Sequence, residues 1–393
     1  MLYFVPPICK FKWGYTMPEK QKSMEKRIAI FVATSGHSGV DRTMQNLIPA
    51  FAGRGYLVDL LKVRKHGPEL AAIPSGVRVI DLGTSHVYSS FLAVCRYLHR
   101  YRPVAMLTDK DRVNRTALLA RAVTAGTPYL ALSCGTTLSV DLAGRGPVER
   151  WVTRNSFGKL YPYADNLLMI SKGSADDLAD YTGFPRERIE VVPAPVIPAS
   201  LLTETRARPA HPWFQPGEPP VILGVGKLAP GKDYATLIRA FAITRKTRNC
   251  RLVIIGKGKQ ESELYALAEG LGVGKDVDLP GFQPNAYDFM AHAALFVHTS
   301  LLEGLGFVII EALAVGTPVV ATDCPSGPRE ILQDGKYGPL VPVQNHERLA
   351  EAMLATLYHP HPAAFLKEAA RPYEIELSAT AHLAAMGLPA QAG

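Results

Sequence analysis

A chain of 393 residues is too long for one ordinary core, and 47% hydrophobic with 20% charged residues excludes a disordered or fibrous polymer. The net charge of +8 is carried by the N-terminal half, whereas the C-terminal half is slightly acidic. No recognised nucleic-acid-binding motif accompanies that charge, so it points to an anionic membrane surface or a pyrophosphate-bearing acceptor rather than to DNA or RNA.

The chain opens with Met1-Leu2-Tyr3-Phe4-Val5-Pro6-Pro7-Ile8-Cys9, apolar but short and with no basic region before it, a poor signal peptide. Residues 1–23 are expected to be a disordered extension. An N-terminal domain is expected over 24–200. In it, short apolar runs at 28–33, 57–63, 77–82, 104–108, 129–133, 167–170 and 189–192 read as strands. Amphipathic stretches at 40–53, 88–101 and 116–124 lie between several of them. Such alternation specifies parallel sheets covered by helices. A proline-rich passage from Pro193 to Pro220 interrupts it, and its 201–220 portion reads as the interdomain linker. The alternation restarts at 221–226, 252–256, 277–279, 295–298 and 319–322, giving a second domain over 221–372. In the tail, helical patterns at 362–370 and 376–385 are broken at Arg371-Pro372-Tyr373, and 373–393 form the last segment. No run of 18 apolar residues occurs, so no span of a membrane is expected. The fold class is therefore α/β, with two Rossmann-like domains in tandem and the cleft between them as the default site.

The motif richest in chemistry is Glu303-Gly304-Leu305-Gly306-Phe307-Val308-Ile309-Ile310-Glu311. It lies between a strand and Gly316-Thr317-Pro318, and reads as strand, glycine-bearing loop, helix. Loop amides and a helix N-terminus at the carboxyl end of a parallel strand suit phosphate. Glu311 sits in an apolar stretch, where an unpaired carboxylate would be costly to bury. The second domain opens with Gly226-Lys227-Leu228-Ala229-Pro230-Gly231-Lys232, whose lysines can meet successive phosphates. This motif is neither the Gly-x-Gly-x-x-Gly of a dinucleotide fold nor a P-loop, which disfavours a dehydrogenase. Ser35-Gly36-His37-Ser38-Gly39 joins the first strand to the first helix. Gly256-Lys257-Gly258 and Leu279-Pro280-Gly281-Phe282 end two further strands, where a base could lie between backbone and an aromatic ring. The five cysteines are scattered without a Cys-x-x-Cys pair, which fits a reducing cytoplasm and speaks against structural zinc.

Taken together, Gly226-Lys227-Leu228 with Lys232, Glu303-Gly304 through Glu311-Ala312-Leu313, Gly316-Thr317-Pro318 and the run from Asp323 to Leu332 resemble the retaining glycosyltransferases of family four, which have the GT-B fold. The likeness covers nearly everything from Lys26 to about Met386. It implies a C-terminal domain that holds a nucleotide-diphosphate sugar, UDP-sugar favoured, an acceptor-binding N-terminal domain, and a terminal helix crossing back onto the first domain. It also implies roles. Lys227 and Lys232 would grip the diphosphate, and Glu303 would contact the donor sugar; these three are the expected catalytic residues. Glu311 would take the ribose, while Gly304, Leu305, Gly306 and Phe307 would hold sugar and phosphate. Gly39, Gly226, Gly256, Gly281 and Phe282 complete the expected donor site. The family generally has Arg at the Lys227 position, and relatives often have a histidine at the Gly135 position. His37 or Asp109 would then serve the acceptor side along with Gly135.

The resemblance implies attack from the face the phosphate leaves, with no metal and no cofactor. The expected activity is hexosyl or N-acetylhexosaminyl transfer to a glycan or lipid-linked acceptor in surface polysaccharide or glycoconjugate biosynthesis. The site would be cytoplasmic, peripheral on the inner face of the cytoplasmic membrane. Two other readings on the same fold are a catalytically idle nucleotide-sugar-binding scaffold and a phosphorylase or sugar-phosphate synthase.

Overall fold

The structure is a computed structural model and describes residues 26–391 apart from 37, 125–127 and 136. The expectations for residues 1–23 and for His37 fall outside the described residues. Seven strands form the first sheet: β1 (Arg27–Val32), β2 (Leu57–Lys62), β3 (Val77–Asp81), β4 (Ala105–Asp109), β5 (Tyr129–Cys134), β6 (Asn166–Met169) and β7 (Ile189–Val191). Their order is β3-β2-β1-β4-β5-β6-β7, parallel throughout. Six more form the second: β8 (Val221–Val225), β9 (Arg251–Ile255), β10 (Val277–Asp278), β11 (Leu295–His298), β12 (Val319–Thr322) and β13 (Leu340–Val341). That sheet is also parallel, in the order β10-β9-β8-β11-β12-β13.

Helices on both faces bury the central strands: every residue of β11 and β12 is buried, and all but the first of β1 and β5. Such strands show continuous apolar runs rather than alternation, which is why twelve of the thirteen could be read from the sequence. The exception, β13, has only two residues. In both sheets the order reverses beside the first strand, at β1/β4 and at β8/β11. Crevices open at such switch points, beyond the carboxyl ends of the strands.

Two passages of chain join the domains, and where they meet the outgoing and returning segments run parallel, with Ile197 bridged to Glu374. The Tyr373 carbonyl accepts from the N–H groups of Val196 (2.9 Å) and Ile197 (3.1 Å), and Ile375 N–H donates to the Ile197 carbonyl at 2.9 Å. The final helix, Ile375–Ala385, then crosses to the first domain, as expected. There Ala379, Leu383 and Met386 are buried with Met44, Leu47 and Ile48 of the Gly39–Gly53 helix. Leu201, Leu202 and Phe214, from the proline-rich passage, are packed into the second domain's core.

Candidate active site

On the first-domain side, β1 leads through a loop to the Gly39–Gly53 helix. Ser38 and Asp41 form a reciprocal capping box there: Ser38 N–H donates to Asp41 Oδ2 at 2.7 Å, and Asp41 N–H to Ser38 Oγ at 3.3 Å. Thr34 donates to the same carboxylate. Asp41 is thereby a structural cap that fixes where the helix begins. The next residue, Arg42, is left pointing across the cleft.

On the second-domain side, two loops are pinned together. Thr299 Oγ1 donates to the Lys232 carbonyl at 2.7 Å and Leu301 N–H to the Gly231 carbonyl at 2.9 Å. Thr322 Oγ1 donates to the Ser300 carbonyl at 2.7 Å. This pinning brings Lys232 onto Glu303, with which it forms an ion pair. Glu303 Oε1 is also 3.0 Å from His298 Nε2 and accepts from Ser300 Oγ at 2.7 Å. Burial alone would raise the Glu303 pKa. The hydrogen bond and charge of His298 and the Lys232 ammonium outweigh it, holding the carboxylate well below its ordinary range. Glu303 is thus a fixed negative charge, the wrong state for a general acid.

The Gly304–Gly306 turn follows, with Gly306 at φ +95° in the left-handed region that favours glycine. Directly after it the Phe307–Ala314 helix starts, so its free N–H groups face the cleft. Gly327, at φ +83°, supports this turn from below: a Cβ there would lie 1.9 Å from the Leu305 carbonyl oxygen.

Side chains from both domains close the cleft. Arg42 pairs with Glu311 and lies 5.5 Å over the Phe307 ring. Tyr287 OH donates to Glu311 Oε1 at 3.1 Å. Glu330, on the second domain, accepts from the Lys172 and Gly173 N–H groups at 2.8 and 2.7 Å, a carboxylate seated on the N-terminus of the first domain's Lys172–Thr182 helix. Ser171 Oγ donates to the Gly304 carbonyl at 3.1 Å.

Between these contacts lies a cavity of about 320 Å³. Of the residues singled out from sequence, Gly39, Lys232, Glu303, Gly304, Leu305, Gly306, Phe307, Asp109 and Gly135 line it. Six do not: Gly226, Lys227, Gly256, Gly281, Phe282 and Glu311. Glu311 lies behind the wall, buried and capped by Arg42. Lys227 is exposed, and Phe282 is 67% exposed on the loop after Gly281. Gly256 has a packing reason of its own: a Cβ would meet the Gly226 carbonyl oxygen at 1.8 Å, so the two loops stack backbone to backbone. Gly39 approaches Phe307, with a would-be Cβ 3.9 Å from the ring. Sequence reasoning missed Arg42, Tyr287, His298 and Ser300. Of these, only His298 and Ser300 carry a local signal, polar residues at the carboxyl end of a buried strand.

Comparisons with known proteins agree with this arrangement. Residues 38–195 match a family described as "Glycosyl transferase 4-like domain", and residues 209–372 one described as "Glycosyl transferases group 1". A Campylobacter jejuni N-acetylgalactosamine-N,N'-diacetylbacillosaminyl-diphospho-undecaprenol 4-alpha-N-acetylgalactosaminyltransferase is 29% identical over 343 residues, covering 84% of this chain and 90% of that one. Among solved structures, the apo lipopolysaccharide outer core galactosyltransferase WaaB superposes with a TM-score of 0.73 at 19% identity, covering 92% of this chain and 99% of that one. Anabaena HepE in complex with UDP gives 0.73 at 18%, with the same coverage. With both halves matched in order and the two parallel sheets in place, the chain belongs to the glycosyl transferases group 1 family and is a glycosyltransferase of GT-B fold.

Proposed function

We propose that this protein transfers a hexosyl or N-acetylhexosaminyl group from a nucleotide-diphosphate sugar, with UDP-sugars favoured, to a glycan or lipid-linked acceptor in surface polysaccharide or glycoconjugate biosynthesis. The observation that carries the reading is the ionised Glu303, fixed by Lys232, His298 and Ser300 on the cavity wall beside a helix N-terminus. A carboxylate in that state accepts hydrogen bonds from sugar hydroxyls. The Lys232 ammonium and the N–H groups at Phe307 receive the diphosphate and stabilise charge that grows as it leaves. Lys227 and Phe282 serve the nucleotide end from the rim, and Glu311 takes the ribose hydroxyls once Arg42 gives way.

Transfer with retention follows if the acceptor hydroxyl attacks from the face the phosphate leaves and passes its proton to the departing phosphate oxygen. Positioning and charge then supply the rate, and no metal or cofactor takes part. Support comes from the Campylobacter relative, named for transfer to a diphospho-undecaprenol glycan, and from HepE, crystallised with UDP. Among the described residues no helix is long and apolar enough to cross a membrane. The basic first domain exposes Val148 (73%) and Trp151 (65%) beside Arg150 and Arg154, which suits peripheral contact with an anionic inner-face membrane surface.

Calorimetric titration with UDP, UDP-glucose and UDP-N-acetylgalactosamine, alongside GDP-, ADP- and dTDP-sugars, tests the donor. Binding of at least one, lost in Lys232→Ala, is expected. No binding by any of them sinks the proposal. The anomeric configuration of the product, read by NMR, tests retention.

A further inference from the structure

A second cavity of about 340 Å³ lies in the first domain, at the carboxyl ends of β4 and β5. It shares two residues with the cleft cavity, Asp109 and Gly135, so the chambers meet there. Asp109 is 97% buried by its 3% exposure, and its Oδ1 has no hydrogen-bond partner. A buried carboxylate oxygen left unmatched carries a desolvation cost, and such groups are uncommon unless a ligand supplies the missing donor.

Gly135 makes the opening. A Cβ at that position would stand 3.0 Å from Val40 Cγ2 and 3.5 Å from Asp109 Oδ2. Any larger side chain, a histidine included, would press on Val40 and cover the carboxylate. The glycine that departs from the family pattern is therefore what keeps Asp109 accessible from both chambers.

The wall of the second chamber indicates the ligand's chemistry. Arg145 Nη1 donates to Glu149 at 2.6 Å and its Nη2 to Asp141 at 2.8 Å, while Arg112 Nη2 donates to Glu149 at 3.0 Å. Arg112 and Arg145 are each matched by a carboxylate, and Asp109, Asp111, Asp141 and Glu149 on this wall outnumber Lys110, Arg112 and Arg145, so no surplus positive charge awaits a phosphate. What remains is a set of hydrogen-bonding groups beside apolar Leu138 and Leu142. That combination suits a sugar ring, with hydroxyls on its rim and C–H groups on its face.

We infer that this chamber is the acceptor-sugar site: an uncharged pyranose lies against Arg145 and Leu142, and a hydroxyl reaching past Gly135 donates to Asp109 Oδ1. The inference rests on the glycosyltransferase reading above and adds the acceptor's chemistry and its seat. Asp109 holds the reacting hydroxyl over the donor.

Saturation-transfer NMR with a panel of neutral methyl glycosides and their β-linked disaccharides tests this, with N-acetylglucosamine 1-phosphate as the charged probe and UDP binding measured in parallel. At least one neutral glycoside is expected to bind wild-type protein. Its signal should fall at least tenfold in Arg145→Ala and in Gly135→Val, with UDP affinity and thermal unfolding unchanged in Arg145→Ala. Binding of the charged probe alone, of no probe, or undiminished binding to folded Arg145→Ala overturns the inference while leaving the donor site standing. Absence of UDP binding instead counts against the donor site, and sugar binding lost with Arg145 still upholds this one.

Discussion

Arg42 and Glu311 stand 269 positions apart and form an ion pair across the cleft, first domain to second. Glu311 is buried, with its side chain 5% exposed, and Arg42 is 39% exposed. The Arg42 pKa is raised: burial would lower it, but the Glu311 charge and hydrogen bond prevail. The pair both fastens the domains together and covers the carboxylate expected to meet a ribose. If Glu311 takes the ribose as proposed, donor binding requires an exchange of partners there.

Glu311→Ala should leave Arg42 without its anion and the donor without a ribose acceptor. Breaking a buried pair costs about 3–5 kcal/mol, but solvent reaches Arg42, so about 1–2 kcal/mol is the expected loss. Calorimetry should show unfolding about 2–8 °C lower. UDP affinity should fall roughly tenfold or more, the equivalent of one charge-assisted hydrogen bond. An unchanged UDP affinity in a protein of lowered stability would confine Glu311 to fastening the domains.

Arg42 also shows where sequence reasoning stops. The two sheets were legible because strands buried on both faces leave unbroken apolar runs, and Glu303 because glycines and a breaker frame it. Arg42 looks like any residue in a helix's first turn, since its meaning depends on a partner in the other domain. Gly256 carries a constraint that the sequence does not show: its lack of a side chain lets one loop rest on another. The Lys172–Thr182 helix, with three Asp and little apolar periodicity, owes its N-terminal anchor to Glu330 of the distant domain.

Glu330→Ala removes both acceptors from the Lys172 and Gly173 N–H groups and should widen the cleft. Two hydrogen bonds to a charged group contribute about 1.5–3 kcal/mol each where shielded, less at this half-exposed site. Small-angle scattering should show a larger radius of gyration than wild type in the presence of UDP, with kcat reduced about tenfold. Gly173→Val should act similarly, because a Cβ there already approaches Ser326 at 3.1 Å. If both variants scatter like wild type, Glu330 does not hold the closed state.

Gly256→Ala should be poorly tolerated although it leaves every polar side chain in place. The added Cβ collides with the Gly226 carbonyl oxygen, and φ is +149°. A loss of about 3 kcal/mol or more is expected from overpacking and backbone strain combined. Denaturant unfolding checks this, and a stable Gly256→Ala that has lost only UDP binding would return Gly256 to the donor site.

Glu303 makes a pH-dependent contribution of definite sign. Its folded pKa lies below the ordinary 4.5, so the stability it adds is present above that value and is lost as pH falls through the folded pKa. Unfolding of wild type and Glu303→Gln, compared at falling pH, should converge on the acid side. Near neutral pH the same substitution should lower kcat about 100-fold or more, as when a preorganised charge is removed. Parallel acid profiles would show that Glu303 is not held ionised by Lys232 and His298.

Asp109 has the opposite sign. Burial pushes its pKa up to about 6, against the Ser133 hydrogen bond, the Lys110 charge and the N–H groups of Gly135 and Lys110, all of which favour the ion. A carboxyl group that prefers to stay neutral in the fold costs stability as pH rises from its ordinary 3.8 through about 6. The total is about 3 kcal/mol at 1.36 per unit. Asp109→Asn should therefore unfold at a higher temperature than wild type near about pH 7, with the advantage shrinking toward about pH 4. Activity should move the other way. An ionised Asp109 accepts the acceptor's hydroxyl and a neutral one competes as a donor, so kcat/KM should fall tenfold per unit below about pH 6. In Asp109→Asn that limb should vanish along with most of the rate, while UDP affinity persists, because the diphosphate contacts proposed at Lys232 and Phe307 do not involve Asp109. A surviving acid limb in the variant would assign the titration to another group and leave Asp109 merely buried.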